Sequence, residues 1–197
     1  MTTSSYKEAG GAPTEGAPGF RVALVTGGSS GLGLAIAERL LADGFSVAVV
    51  SRSGEGLGSA HTPMLSLQYD LTEAGAPEKI VRDVVERFGR LDVLVNNAGR
   101  RHAGMIVDNP RHELEEVLQL NTIAAMEMTG AAARVMTKQR DGAIINLVSR
   151  LATIGVPTLS TYSASKGALL AYTRAAAVEL APAMDRRCRL VRGRRAL

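Results

Sequence analysis

The sequence predicts an α/β domain built on a doubly wound parallel sheet, and three observations carry that prediction. Short apolar runs rich in Val, Ile and Leu alternate along the chain with longer helical stretches, the pattern of successive strand-helix-strand units. The short runs are continuously apolar instead of alternating, which means that both sheet faces are covered. A glycine-rich loop lies where the first strand passes into the first helix, the place where such sheets hold ligands.

Taken in chain order, residues 1–19 are dominated by Gly, Pro, Ser, Thr and Ala, with almost nothing to bury, and read as a disordered arm. The domain proper is expected over 20–182. Strands are expected at 21–26, 46–50, 64–69, 91–96 and 143–149, and helices at 31–43, 77–88, 111–137 and 160–181. Residues 183–197 form a separate, arginine-rich tail without periodicity.

Composition narrows the function. With 46% of its 197 residues hydrophobic and 21% charged, the chain can bury a substantial core. The net charge of +4 is misleading: six arginines in 183–197 face one acid, Asp185, so the tail carries +5 and the rest −1. A nearly neutral body with scattered aromatics offers no nucleic-acid face. No apolar run approaches the ~20 residues of a membrane span and the N-terminus lacks a secretory pattern, so the expectation is a cytoplasmic protein without a membrane partner. One cysteine, Cys188, and three histidines (His61, His102, His112) lack ligand-like spacing, and no metal is expected.

The motifs are local. The first strand runs into Thr26-Gly27-Gly28-Ser29-Ser30-Gly31-Leu32-Gly33, whose glycines allow a tight turn and close backbone approach to a pyrophosphate at a helix N-terminus. Asp70 ends the third strand, and Asn96-Asn97-Ala98-Gly99 ends the fourth; taken singly, these also suit a turn and a satisfied loop. Ser149 closes the fifth strand. Tyr162 and Lys166 follow at i and i+4, so both project from one helical face, where an ammonium favours the phenolate of a tyrosine otherwise too weak an acid at neutral pH.

In that order and spacing, TGGSSGLG (26–33), Asp70, NNAG (96–99), Asn121, Ser149 and the Tyr162/Lys166 pair resemble the short-chain dehydrogenase/reductase family over residues 20–182. The resemblance implies a Rossmann-like sheet and an NAD(P)-dependent oxidoreductase that interconverts a secondary alcohol and a carbonyl compound. It implies that Tyr162 donates the proton, Ser149 hydrogen-bonds the same oxygen, and Lys166 holds the nicotinamide ribose and tunes Tyr162. The backbone of Asn121 would help hold a water of a proton relay to Lys166. The cofactor would be held by Gly27, Ser29, Ser30, Gly31, Leu32, Gly33, Ser51, Arg52, Asp70, Asn97, Ala98 and Gly99, together with Tyr162 and Lys166. Where an acidic residue would accept from a ribose 2′-hydroxyl, the second strand ends Ser51-Arg52; a guanidinium suits a 2′-phosphate, so NADP is expected over NAD, although a solvated Arg52 also fits.

After Val178-Glu179-Leu180-Ala181-Pro182 the family continues into a sixth strand, a Pro-Gly turn and a last strand, none of which 183–197 resembles. The expectation is therefore a sheet lacking the family's last two strands, through truncation or a shifted reading frame. The alternative function is an inactive relative that binds nucleotide or pairs with an intact subunit. By resemblance alone, helices 111–137 and 160–181 would form a homo-oligomer contact.

Overall fold

The computed structural model describes residues 21–53 and 64–182. The arm expected over 1–19 and the arginine-rich tail expected over 183–197 lie outside the described residues. Among the described residues five strands, β1 (Val22–Thr26), β2 (Ser46–Ser51), β3 (Met64–Gln68), β4 (Val93–Asn96) and β5 (Ala143–Asn146), form one sheet of order β3-β2-β1-β4-β5. Every pairing is parallel. The helices are α1 (Gly31–Ala42), α2 (Ala76–Phe88), α3 (Arg111–Leu118), α4 (Ala124–Gln139) and α5 (Ser160–Leu180). None among the described residues is long and apolar enough to cross a membrane.

The continuous apolarity of the central strands has the consequence expected from the sequence. Because successive side chains point to opposite faces, Val22 and Leu24 of β1 enter a core with Ile80 and Val84 of α2 and Met128 and Met136 of α4, while Ala23 and Val25 enter a second core with Ala37 of α1. All five residues of β1 are buried. Each fully buried Leu, Ile or Val contributes about 1.5–3 kcal/mol. The start of the sheet is pinned by Asp92, whose Oδ2 accepts from the Val22 amide at 2.8 Å while Arg90 pairs with the same carboxylate.

Three differences from the sequence reading bear on the site. β3 ends at Gln68, two residues before Asp70. β5 ends at Asn146, so Ser149 does not close it; its one neighbour among the described residues, β4, ends at Asn96, and the last ladder contact is Leu147 N–H to the Asn96 carbonyl at 2.9 Å. The helix expected over 111–137 is interrupted at Gln119–Ile123, where the Ala124 N–H bonds the Gln119 carbonyl five residues back, a π-turn. The bulge coincides with the buried Asn121, whose side chain bonds the backbone of Arg100 across the interior.

Candidate active site

The strand order reverses between β1 and β4, and the crevice there is built from the residues that end those strands. Thr26 Oγ1 accepts from the Asn97 and Ala98 amides, both at 3.1 Å. The Asn97 side chain donates in return to the carbonyls of Thr26 (3.1 Å) and Gly27 (3.0 Å), so it locks the two loops together. Gly27 and Gly31 hold φ of +64° and +54°, a region costly for any residue with a Cβ. At Gly33 a Cβ would collide with the Gly27 carbonyl and the Asn97 amide nitrogen. α1 therefore begins directly against the loop, with Ser30 extended at its N-cap, no side-chain cap bond and no acid in its first turn. Its first N–H groups and positive dipole end suit an anionic group. Ser29 is half-buried, Ser30 exposed and Leu32 half-buried along the same turn.

At the end of β2, Ser51 is buried and Arg52 exposed, and the Arg52 carbonyl accepts from Gln68 Nε2 at 3.0 Å. Asp70 Oδ1 accepts from the Thr72 hydroxyl (2.7 Å) and amide (2.8 Å). Those two bonds, with a contribution from the Arg52 charge, hold the Asp70 carboxyl below its usual value against a partial burial that raises it. Asp70 is thus a turn residue held ionised beside Arg52.

Beyond β4 and β5 a second group converges. Lys166 on α5 is only 5% exposed, and its Nζ donates to the Leu147 carbonyl at 2.8 Å. Burial lowers its pKa from 10.5 to about 8. A Cβ on Gly99 would lie 3.6 Å from Lys166 Nζ and 2.9 Å from Asn121 Oδ1, so the chain passes these groups in contact. Asn121 is fully buried; its Oδ1 accepts from the Arg100 amide (2.8 Å), and its Nδ2 donates to the Arg100 carbonyl (2.9 Å) and Ser165 Oγ (3.0 Å). Half-buried Ser149 caps a short 3-10 turn, Arg150–Ala152, by accepting from the Leu151 amide at 3.2 Å. That turn packs on α5, where Gly167 leaves the space that faces the Ala152 carbonyl. Tyr162 is half-buried, one turn before Lys166.

The sequence reading assigned no role to Thr26, Ser165 or the Leu147 carbonyl. Ser165 had a local signal: three residues after Tyr162, its Oγ donates back to the Tyr162 carbonyl at 2.8 Å, a bond serines make within helices. Asn96 is not a loop residue either. It is 3% exposed and joins a buried chain in which it donates to Thr129 Oγ1 and Asn146 Oδ1, and Asn146 donates to Thr173 Oγ1.

Known proteins resemble this chain in sequence and fold. A family model for the short chain dehydrogenases matches residues 21–184. An uncharacterized oxidoreductase of Escherichia coli, YgcW, is 36% identical over 166 residues, which are 81% of this chain and 64% of that protein. The 2-(R)-hydroxypropyl-CoM dehydrogenase of Xanthobacter autotrophicus is 37% identical over 172 residues, 82% of this chain and 69% of that protein. Among solved structures, a short-chain dehydrogenase from Streptomyces avermitilis superposes with a TM-score of 0.83 at 32% identity, covering 89% of this chain and 65% of that one. The chain thus spans less than two thirds of the first of these relatives. Fold, loop chemistry and these likenesses agree, and the chain belongs to the short chain dehydrogenase family.

Proposed function

We propose that the protein is an NADP-preferring oxidoreductase that interconverts a secondary alcohol and a carbonyl compound, with residues 20–182 as its dinucleotide-binding unit. The observation that carries this reading is the convergence of Gly99 and Asn121 at the C-terminal edge of the sheet on Lys166, which lies one turn after Tyr162 on α5. The glycine loop with its Gly33 contact fits a pyrophosphate, and Gly27, Ser29, Ser30, Gly31, Leu32 and Gly33 would hold it. Arg52 would pair with a 2′-phosphate, and Ser51, Asp70, Asn97, Ala98 and Gly99 would line the rest of the crevice. The dinucleotide, when bound, supplies the hydride.

The chain's own residues handle the proton and the substrate oxygen. Tyr162 donates a proton to the carbonyl oxygen during reduction, and Ser149 hydrogen-bonds that oxygen and stabilises the charge growing on it. Lys166, held by the Leu147 carbonyl, keeps a positive charge one turn from Tyr162 and binds ribose hydroxyls. The π-turn at Asn121 shifts the carbonyls of Gln119–Ile123 out of the ordinary helical ladder, which suits a backbone group that holds a relay water near Lys166. Relatives named a 3-oxoacyl-[acyl-carrier-protein] reductase and a 2-(R)-hydroxypropyl-CoM dehydrogenase support a carbonyl and alcohol pair as substrates. A homo-oligomer through residues 111–137, which span α3 and most of α4, and through α5 belongs to the same reading.

The test is titration of the full chain with NADPH and NADH, followed by NADPH oxidation with a panel of ketones. NADPH binding with turnover of at least one ketone supports the reading. Binding without turnover of any ketone supports the nucleotide-binding alternative, and no binding of either dinucleotide overturns both.

A further inference from the structure

The segment between β4 and α3 is fastened to the first turn of α5 by a chain of side chains that lies outside the motifs TGGSSGLG, NNAG and the Tyr162/Lys166 pair. His102 Nδ1 lies 3.1 Å from Glu113 Oε2 on α3, and its Nε2 lies 2.9 Å from Asn109 Oδ1. The other end of the Asn109 amide, Nδ2, donates to Thr161 Oγ1 at 3.3 Å. Beside it the Gly104 amide donates to the Thr158 carbonyl at 2.9 Å, and Thr158 holds a φ of +67°, a strained conformation for a threonine. A Cβ on Gly104 would overlap Asn109 Oδ1 and crowd His102 Nε2, so a larger residue here would push these two side chains out of the chain of bonds.

Thr161 immediately precedes Tyr162, and a second chain grips the same helical face one turn further on, at Ser165. Asn121 Nδ2 donates to Ser165 Oγ, which donates to the Tyr162 carbonyl. Both chains return to the same anchor on α3 and its preceding loop: Arg100, whose backbone holds Asn121, also pairs with Glu113, the carboxylate that faces His102. The first turn of α5 is thus held at Thr161 and Ser165, one residue before and three after Tyr162. Helix ends fray readily, so such a grip is the means of fixing a side chain borne on a first turn.

We infer that His102 and Asn109 are positioning residues, which through Thr161 hold the turn of α5 that carries Tyr162 in the register its proton transfer needs. The inference rests on the reading of Tyr162 as the proton donor. Displacing a reacting group by about 1 Å costs on the order of a hundredfold in rate without loss of the rest of the site.

Four full-length variants test it: His102→Ala, Asn109→Ala, Thr161→Val and Thr161→Ser. Two readouts are taken, ketone reduction resolved into kcat and KM, and amide hydrogen exchange over 160–165. In the first three variants kcat is expected to fall at least about tenfold with KM and the NADPH dissociation constant within about twofold, and exchange over 160–165 to accelerate at least about tenfold. Thr161→Ser keeps the accepting oxygen and is expected to restore both. Unchanged exchange in Asn109→Ala and Thr161→Val overturns the inference, as does a uniform acceleration across the whole sheet, which marks a merely structural role. If the parent chain reduces no ketone, the oxidoreductase reading fails on that result, and the exchange readout still decides whether the turn is held by this chain of bonds.

Discussion

Lys166 and Leu147 are joined by a 2.8 Å hydrogen bond from a buried ammonium to the first carbonyl beyond β5. The bond fixes α5 against the sheet edge, but one carbonyl does not replace the water the ammonium has lost, and its pKa falls to about 8. The folded protein therefore releases this proton before the unfolded chain does. Below pH 8 both states carry the charge and the burial penalty is fully present; between about 8 and 10.5 the unfolded state binds more protons, so stability contributed by this group rises with pH. Relative to Lys166→Met, the parent chain is expected to gain about 2 kcal/mol between pH 7.5 and 9.5. Chemical denaturation of both proteins at the two pH values measures it, and a constant difference contradicts it.

Gly33→Ala is expected to push α1 away from the loop, because the added methyl meets the backbone of Gly27 and the side chain that ties the loops, Asn97. Overpacking of this kind costs about 1–3 kcal/mol. Thermal unfolding together with an NADPH titration checks both consequences: a lower midpoint and affinity at least about tenfold weaker, on the order of the lost charge-assisted bonds.

Arg52→Ala is expected to weaken NADPH binding at least about tenfold while leaving NADH within about twofold, since only the 2′-phosphate needs the guanidinium. Fluorescence titration with each dinucleotide decides this. Equal loss for both would mean that Arg52 acts through its charge on Asp70 instead.

The central strands were legible because their apolar runs are uninterrupted, and the crevice was legible because Gly27–Gly33 and Asn96–Gly99 are contiguous in sequence. Tyr162 and Lys166 share a helix, so spacing alone related them. The end of β5 was not legible: a strand stops where its neighbour stops, and Asn96 lies 50 residues from Asn146 in sequence. The π-turn at Asn121 escaped for the same reason, since it accompanies a pair of bonds to Arg100, which the local residue pattern of a helix does not encode. His102 was seen only as a histidine without a metal spacing. Its partners, Asn109 and Glu113, lie at 7 and 11 residues, separations that carry meaning only once the loop has folded onto α3 and α5.

The proposed reduction depends on the Tyr162 hydroxyl as the proton donor. The most direct measurement compares NADPH-dependent ketone reduction by the parent chain and by Tyr162→Phe, which keeps the ring and removes the hydroxyl. The expected result is a loss of kcat of at least about a hundredfold with the NADPH dissociation constant within about twofold. A Phe variant that reduces the same ketone at the parent rate would contradict the account.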